Sequence, residues 1–240
     1  MTDDIKGLVA SRNGSELKAL AEGGRHDAAM AFAQLVFDAK YSGDEKAAKT
    51  KKEAKDTARE DAFRFAKGAA DAGDFNGCVF WADVCFNGVR EPGNFGSVLR
   101  TSFYGEAEQA YDLVLNHPEC PESDRGLYLI RKAQSIQFKS KIKGLDRMEE
   151  VISLLTEAAS LESNHSSLAH FCLSPIYWDQ EDYTQAVNHA QKCFEDYPYA
   201  ALTLSLAYKN GKGVGEDLAE ASRFYDLWAL RTAPKRKGKK

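Results

Sequence analysis

Apolar and small residues recur along this chain at intervals of three, four and seven, the spacing that sets side chains on one face of an α-helix. In "ALTLSLAYKNGKGVGEDLAEASRFYDLWAL", Ala201, Leu204, Ser205 and Tyr208 form one such face. Gly211, Gly213 and Gly215 then interrupt the rhythm, and Ala221, Phe224, Tyr225 and Trp228 restart it at the same spacing. Two amphipathic stretches around a glycine-rich reversal predict a helical hairpin. Its small residues, Ala201, Ser205 and Ala221, let the backbones approach, and its aromatic residues fill the gap.

The same pattern recurs upstream, the mark of a repeat architecture. Ala29, Phe32, Ala33 and Val36 form one stripe, Ala62, Phe65, Ala66 and Ala69 a second, and Cys78, Trp81, Ala82 and Cys85 a third. Ala107, Ala110, Tyr111 and Val114 follow, then Leu129, Lys132, Ala133 and Ile136, where the lysine weakens the face. The stripes predict a split capping helix over 3–22 and helix pairs at 27–41 with 45–72, 76–87 with 103–117, 123–138 with 146–161, 166–178 with 181–195, and 199–210 with 216–231. The expected fold class is all-α: a right-handed α-α superhelix, or solenoid, of about five helical hairpins, each covering its neighbour's apolar face. Residues 1–25 form an N-terminal capping helix or half repeat, 26–232 the array, and 233–240 a disordered basic tail.

The residues of the last hairpin resemble the Sel-one-like repeats, relatives of the tetratricopeptide repeat. Over 201–229 the resemblance runs through Ala201, Leu204, Tyr208, Gly211, Gly213, Val214, Asp217, Ala221, Phe224, Tyr225 and Ala229, with Ser205 where the family usually has glycine. The passage "AKGAADAGDFNGCVFWADVCFNG" is similar to the family's junction between repeats. Residues 167–200 resemble the tetratricopeptide form through Leu173, Ser174, Tyr177, Tyr183, Ala186, Ala190 and Pro198, and "ELKALAEGG" the second half of an incomplete repeat. Residues 89–165 depart from both patterns, with the long connection "VREPGNFGSVLRTSFY" and a basic turn "FKSKIKGLD".

Composition narrows the function classes. With 43% hydrophobic and 28% charged residues the chain has material for a continuous core. A net charge of −4 argues against a surface that tracks nucleic acid throughout. Basic character is local: Lys235, Arg236, Lys237, Lys239 and Lys240 crowd the tail, and "KAAKTKKEAK" reads as a solvated helix face before it reads as a nucleic-acid stripe. The opening residues lack the apolar core of a secretory signal and no run is long enough for a membrane span, so a soluble, cytoplasmic protein is expected.

Candidate chemistry is sparse. Cys78, Cys85, Cys120, Cys172 and Cys193 are too few for a disulfide framework, and Cys78 and Cys85, seven apart on one helix, stand about 10.5 Å apart by rise, beyond disulfide reach. Secreted members of the resembling family tie helices through cysteines eight residues apart. Here Cys78 would face Ala70 and Cys193 would face Ala201, so buried thiols are expected. His189 and Cys193 have the i, i+4 spacing of paired metal ligands, but His165 and His170 diverge by about 140° on a helix, and ordinary helix residues are the reading adopted. The loop glycines precede no Lys-Ser/Thr and follow no strand, so they form no phosphate cradle, and no nucleophile has a recognisable histidine partner. Neither a cofactor nor enzymatic activity is expected.

The resemblance implies that the first helix of each hairpin lines a concave face. The partner-binding residues it selects are Leu168, Phe171, Trp178, Asp179, Tyr199, Leu202, Leu206 and Lys209, with Pro175 and Asn210 beside them and Met30, Phe37, Val79, Asp83 and Phe86 at comparable places upstream. Relatives that clamp a chaperone's terminal carboxylate place Lys, Asn or Arg where this chain has Phe171, Pro175 and Asp179, which disfavours that ligand. The face instead suits a hydrophobic or amphipathic peptide. Two readings stay open: a binding face, or packing of these residues against adjacent first helices. The expected function is a non-enzymatic interaction module or adaptor that binds a protein or peptide. The alternative is a nucleic-acid-associated factor using the tail and the lysine-rich helix, and a weaker one is an enzyme or metal protein.

Overall fold

A computed structural model describes residues 1–38, 40, 41, 43, 49–87 and 104–233. Among them are twelve helices and no strand. They are α1 (Asp3–Ala10), α2 (Gly14–Glu22), α3 (His26–Phe37), α4 (Lys51–Asp71), α5 (Phe75–Asn87) and α6 (Tyr104–Asn116), followed by α7 (Glu122–Lys143), α8 (Met148–Ser160), α9 (Ser166–Asp179), α10 (Tyr183–Cys193), α11 (Pro198–Asn210) and α12 (Leu218–Thr232). The connection at 89–103 and the tail at 234–240 lie outside the described residues, as does most of the expected start of the helix at 45. Among the described residues no helix is long and apolar enough to cross a membrane.

Local chemistry sets the helix boundaries. Asn13, Thr50, Asp182 and Asp217 each accept a backbone N–H of the first turn through the side chain, satisfying donors that the helix leaves open. At α4 the arrangement is reciprocal: Thr50 Oγ1 accepts from Glu53 N at 3.1 Å while Glu53 Oε2 accepts from Lys49 N at 2.9 Å. Asp217 likewise explains why α12 opens at Leu218 and not at 216. The segment "FKSKIKGLD", expected as a basic turn after 138, is instead helical to Lys143. It contains no breaker before Gly144, whose φ of +63° is where the chain turns.

The chain divides into two compact units, one of Met1–Cys120 with Phe138–Gly144, the other of Pro121–Gln137 with Leu145 onward. In the first unit α3 packs on α4, α4 on α5 and α5 on α6. The expected stripes supply the seams: Ala29, Phe32, Ala33 and Val36, Ala62, Phe65, Ala66 and Ala69, and Cys78, Trp81, Ala82 and Cys85 are all buried. The ring of Phe32 meets Phe65 edge to face at 5.6 Å, and Cys78 Sγ lies 3.6 Å from the Ala70 carbonyl, the neighbour that the family resemblance implied. Upstream of this core, Arg25 donates to Asp4 at 2.7 Å and to Asp27 at 2.9 Å, and Thr2 donates to Asp27, joining the start of α1 to that of α3.

In the second unit α8 packs on α9, α9 on α10, α10 on α11 and α11 on α12. Two hairpins share one device at their closest approach. Ser174 Oγ donates to the Ala186 carbonyl at 3.0 Å, and Ser205 Oγ donates to the Ala221 carbonyl at 2.7 Å, both buried. A residue small enough to let two backbones close leaves a hydroxyl that must find an acceptor, and the opposite helix provides one. Around the second contact, Val187, Ala190, Cys193, Ala200, Leu204, Ala207 and Phe224 form a continuous core. Each large member contributes about 1.5–3 kcal/mol by leaving water.

Candidate functional site

The eight candidate partner-binding residues lie on α9 and α11, and the two helices present them differently. On α9, Phe171 stacks on Tyr197 with centroids 4.7 Å apart and planes 15° apart. Trp178 meets Tyr183 edge to face at 5.0 Å. Both rings are half-buried and pack against the core that α10, α11 and α12 share. Leu168 is half-buried and Asp179 exposed. Pro175, between them on the same helix, has no N–H to offer the carbonyl of Phe171, so α9 lacks one of its own hydrogen bonds on this side.

On α11 the face is open. Tyr199 is 60% exposed and Leu206 42%, with half-buried Leu202 between them and exposed Lys209 one turn further on. The opposite side of the same helix buries Ala200, Ala201, Leu204 and Ala207. A helix whose core side is filled and whose other side still carries large apolar residues has more hydrophobic surface than its fold uses. The open face continues onto α12, where the Trp228 ring lies 6.5 Å from Tyr199 and 5.4 Å from Tyr225. The Trp228 Nε1 is buried and has no hydrogen-bond partner among the described residues.

Two members of this ledge escaped the sequence reading. Tyr225, expected on the packing stripe, is 50% exposed. Phe224 fills the seam, against the rings of Phe194 and Tyr208, and Tyr225 is left at its open edge. Lys212, in the turn after α11, donates to the Tyr183 hydroxyl at 2.9 Å and sits 4.2 Å above that ring and 5.8 Å above Trp178. The turn chemistry had pointed only to its glycines.

In the first unit three of the comparable positions, Phe37, Asp83 and Phe86, are engaged in packing or hydrogen bonding. Phe37 meets Phe63 at 5.2 Å and Phe80 at 6.2 Å, Asp83 accepts the Tyr111 hydroxyl at 2.8 Å, and Phe86 meets Tyr111 at 6.1 Å. That unit has a concavity elsewhere, a cavity of about 320 Å³ between α2 and α4 floored by Phe32, Ala54 and Ala58. Its charges already serve one another: Lys18 reaches Asp61 at 2.6 Å, Arg64 also holds Asp61, and Glu53 caps α4. Burial pushes the Asp61 carboxyl up, and the bonds from Lys18 and Arg64 more than reverse it.

The histidine and cysteine positions resolve into neighbours of a different kind. Cys193 Sγ turns back to the His189 carbonyl at 3.3 Å, and His165 precedes α9. His170 and His189, on different helices, are hydrogen-bonded to each other through Nδ1 at 2.9 Å. No group of three His, Cys, Asp or Glu among the described residues converges as a metal ion requires. All five cysteines are thiols, with Cys78, Cys85 and Cys193 buried. Burial pushes the Cys193 thiol up to about 12 and the Cys85 thiol higher. The lysines of the tail and Lys46 lie outside the described residues.

No protein-family model matches this chain, and no curated protein matches it significantly.

Proposed function

We propose that this protein is a non-enzymatic interaction module, a cytoplasmic adaptor of the Sel-one-like type whose hairpins form a right-handed solenoid. On this reading the face of α11, extended by α12 and bordered by Phe171 and Trp178 of α9, holds a peptide or helix of a partner protein. The observation that carries it is the two-sidedness of α11: Leu204 and Ala201 are buried on one side while Tyr199 and Leu206 remain open on the other. Rigid aromatic residues with apolar neighbours make effective anchors, because they lose little conformational freedom on binding. Asp179, Lys209 and Lys212 place both signs of charge at one end of the face, where they can set a partner's orientation.

The test is the double variant Tyr199→Ser with Leu206→Ser. Phe171 and Trp178 are left intact because truncating them would also remove packing. Exposed substitutions of this kind change stability by about 0.5 kcal/mol or less, so the melting temperature should move by no more than about 2 °C. Immobilised wild type and variant are compared against the same extract of the native cell by quantitative mass spectrometry, with Leu218→Ser, an exposed apolar change on the first turn of α12, as a third bait. Loss of a defined set of partners by at least about tenfold in the double variant alone is expected. A stable double variant that captures everything the wild type captures refutes the reading. Capture that depends wholly on nucleic acid and collapses with added salt favours the nucleic-acid reading instead.

A further inference from the structure

The hairpin of α9 and α10 carries a half-buried polar contact that packing alone does not require. His170 of α9 and His189 of α10 are bonded Nδ1 to Nδ1 at 2.9 Å, and the Tyr177 ring lies parallel to His189 with centroids 5.3 Å apart. The bond constrains protonation. With both rings neutral, one Nδ1 donates its proton and the other offers its lone pair. One added proton leaves that bond in place, since an imidazolium can still donate to a neutral ring. A second added proton sets N–H against N–H at hydrogen-bond distance, with two like charges on rings whose centroids are 5.0 Å apart. The closed hairpin therefore holds at most one added proton on this pair, whereas the separated rings can each take one.

The surroundings do nothing to relieve a second charge. Burial disfavours the cationic form of both rings, bringing His189 down to about 4 and His170 below its ordinary value. The fields acting on the pair are positive: Lys192 of α10 on both rings, and His170 on His189. Helix α8, packed on α9, carries Glu149, Glu150 and Glu157, and α11, packed on α10, carries Lys209; none of them is among the charges acting on either ring. The nearby thiols of Cys172 and Cys193 are pushed up by burial and stay neutral through this range.

We propose that the His170–His189 pair is a proton-operated latch that holds α9 to α10 near neutral pH and releases the hairpin under mild acid. The sign follows from linkage. The open form binds more protons than the closed form once pH falls below the ordinary histidine value of about 6.5, so closure weakens steadily from there downward. An excess of one proton raises the opening constant about tenfold per pH unit. If α9 carries part of a partner-binding face, the latch also sets whether that face is presented; that consequence rests on the reading above, and the test does not use it.

The experiment is amide hydrogen exchange across α9 and α10 in the full chain between about pH 7 and pH 5, referred at each pH to the α3–α4 hairpin of the same molecules. The reference removes the intrinsic pH dependence of exchange. Relative opening of α9–α10 should rise at least about tenfold over this interval in the wild type. In a variant carrying His170→Asn and His189→Asn, whose amides occupy the Nδ1 positions without titrating, the rise should disappear. A pH-independent ratio in the wild type, or the same rise in the variant, overturns the proposal. Should the variant not fold, ring nitrogen shifts of the wild type decide: the two imidazoles should titrate as a coupled pair, with the second proton well below the first, and two independent midpoints near 6.5 would refute the latch.

Discussion

The turn between α11 and α12 contains two left-handed glycines that a single substitution can tell apart. Gly211 has φ +63° and Gly213 φ +73°, so an alanine at either strains the backbone by about 1–2 kcal/mol. Their surroundings differ. A Cβ on Gly211 would find its nearest neighbour, Glu216 N, at 3.6 Å, an ordinary contact. A Cβ on Gly213 would run into the carbonyl of Tyr183 and lie 2.8 Å from Thr184 N. These are backbone atoms at the start of α10, unable to rotate aside, and relief means shifting the turn away from the preceding hairpin. Overpacking of that kind costs about 1–3 kcal/mol beyond the strain. Gly211→Ala should therefore cost about 1–2 kcal/mol and Gly213→Ala about 2–5 kcal/mol. The gain from a stiffer unfolded chain applies to both and cancels in the difference.

Urea denaturation followed by tryptophan fluorescence measures that difference. Trp178 and Trp228 belong to the same compact unit as the turn, and Trp81 to the other, so a Trp81→Phe background isolates the relevant signal. With a slope of about 1–3 kcal/mol/M, a difference of about 1–3 kcal/mol should separate the two midpoints by roughly 0.3–3 M. Because Lys212 sits between the two glycines and bonds Tyr183 beside Trp178, Gly213→Ala should also change the native emission, while Gly211→Ala should leave it alone. Equal midpoint shifts would refute the argument that the turn is wedged against α10 and would reduce both glycines to a purely local role.

Two other outcomes are expected. Cys85 and Cys193, with thiols raised by burial, should resist iodoacetamide at about pH 8 in the native protein and react once guanidinium chloride exposes them; rapid native labelling at either would contradict their burial. At the N-terminus, hydrogen bonds from Arg25 are the largest cause holding the Asp4 and Asp27 carboxyls below their ordinary range, Asp27 at about 2. Carboxylates depressed in this way stabilise the fold above their unfolded value of about 4 and cease to as pH falls toward 2. Arg25→Met should accordingly lower the melting temperature near neutral pH and lose its effect toward pH 2. An effect of the same size at both ends would place the role of Arg25 in packing and not in charge.

Helical periodicity made the seams legible from sequence because each seam is a local pattern. Ala62, Phe65, Ala66 and Ala69 lie within two turns of one helix, and any fold that keeps the helix keeps the stripe. What lies across a seam was legible where small residues face one another, as for Ser205 against Ala221, or where the family resemblance supplied the neighbour, as for Cys78 against Ala70. The histidine pair also lies across a seam and was missed. A signal was present: His170 stands three residues before Leu173 and His189 three after Ala186, both core positions of the α9–α10 hairpin. Reading each histidine against metal-ligand spacing within its own helix hid that relation.

The split between α9 and α11 has a physical origin that bears on where a partner can sit. Phe171 and Trp178 belong to a hairpin followed by another hairpin, and α10 to α12 give their rings apolar surface to lie on. Tyr199 and Leu206 belong to the final described hairpin, where α12 covers one side of α11 and no further described helix follows. Residues of similar hydrophobicity on α9 and α11 are thus packed in one hairpin and open in the next because of position in the order of the described helices. On this last described hairpin Tyr199, Leu206 and Tyr225 stay open. Exposed apolar surface of this kind raises the risk of aggregation, and a binding partner that covers it would offset that cost.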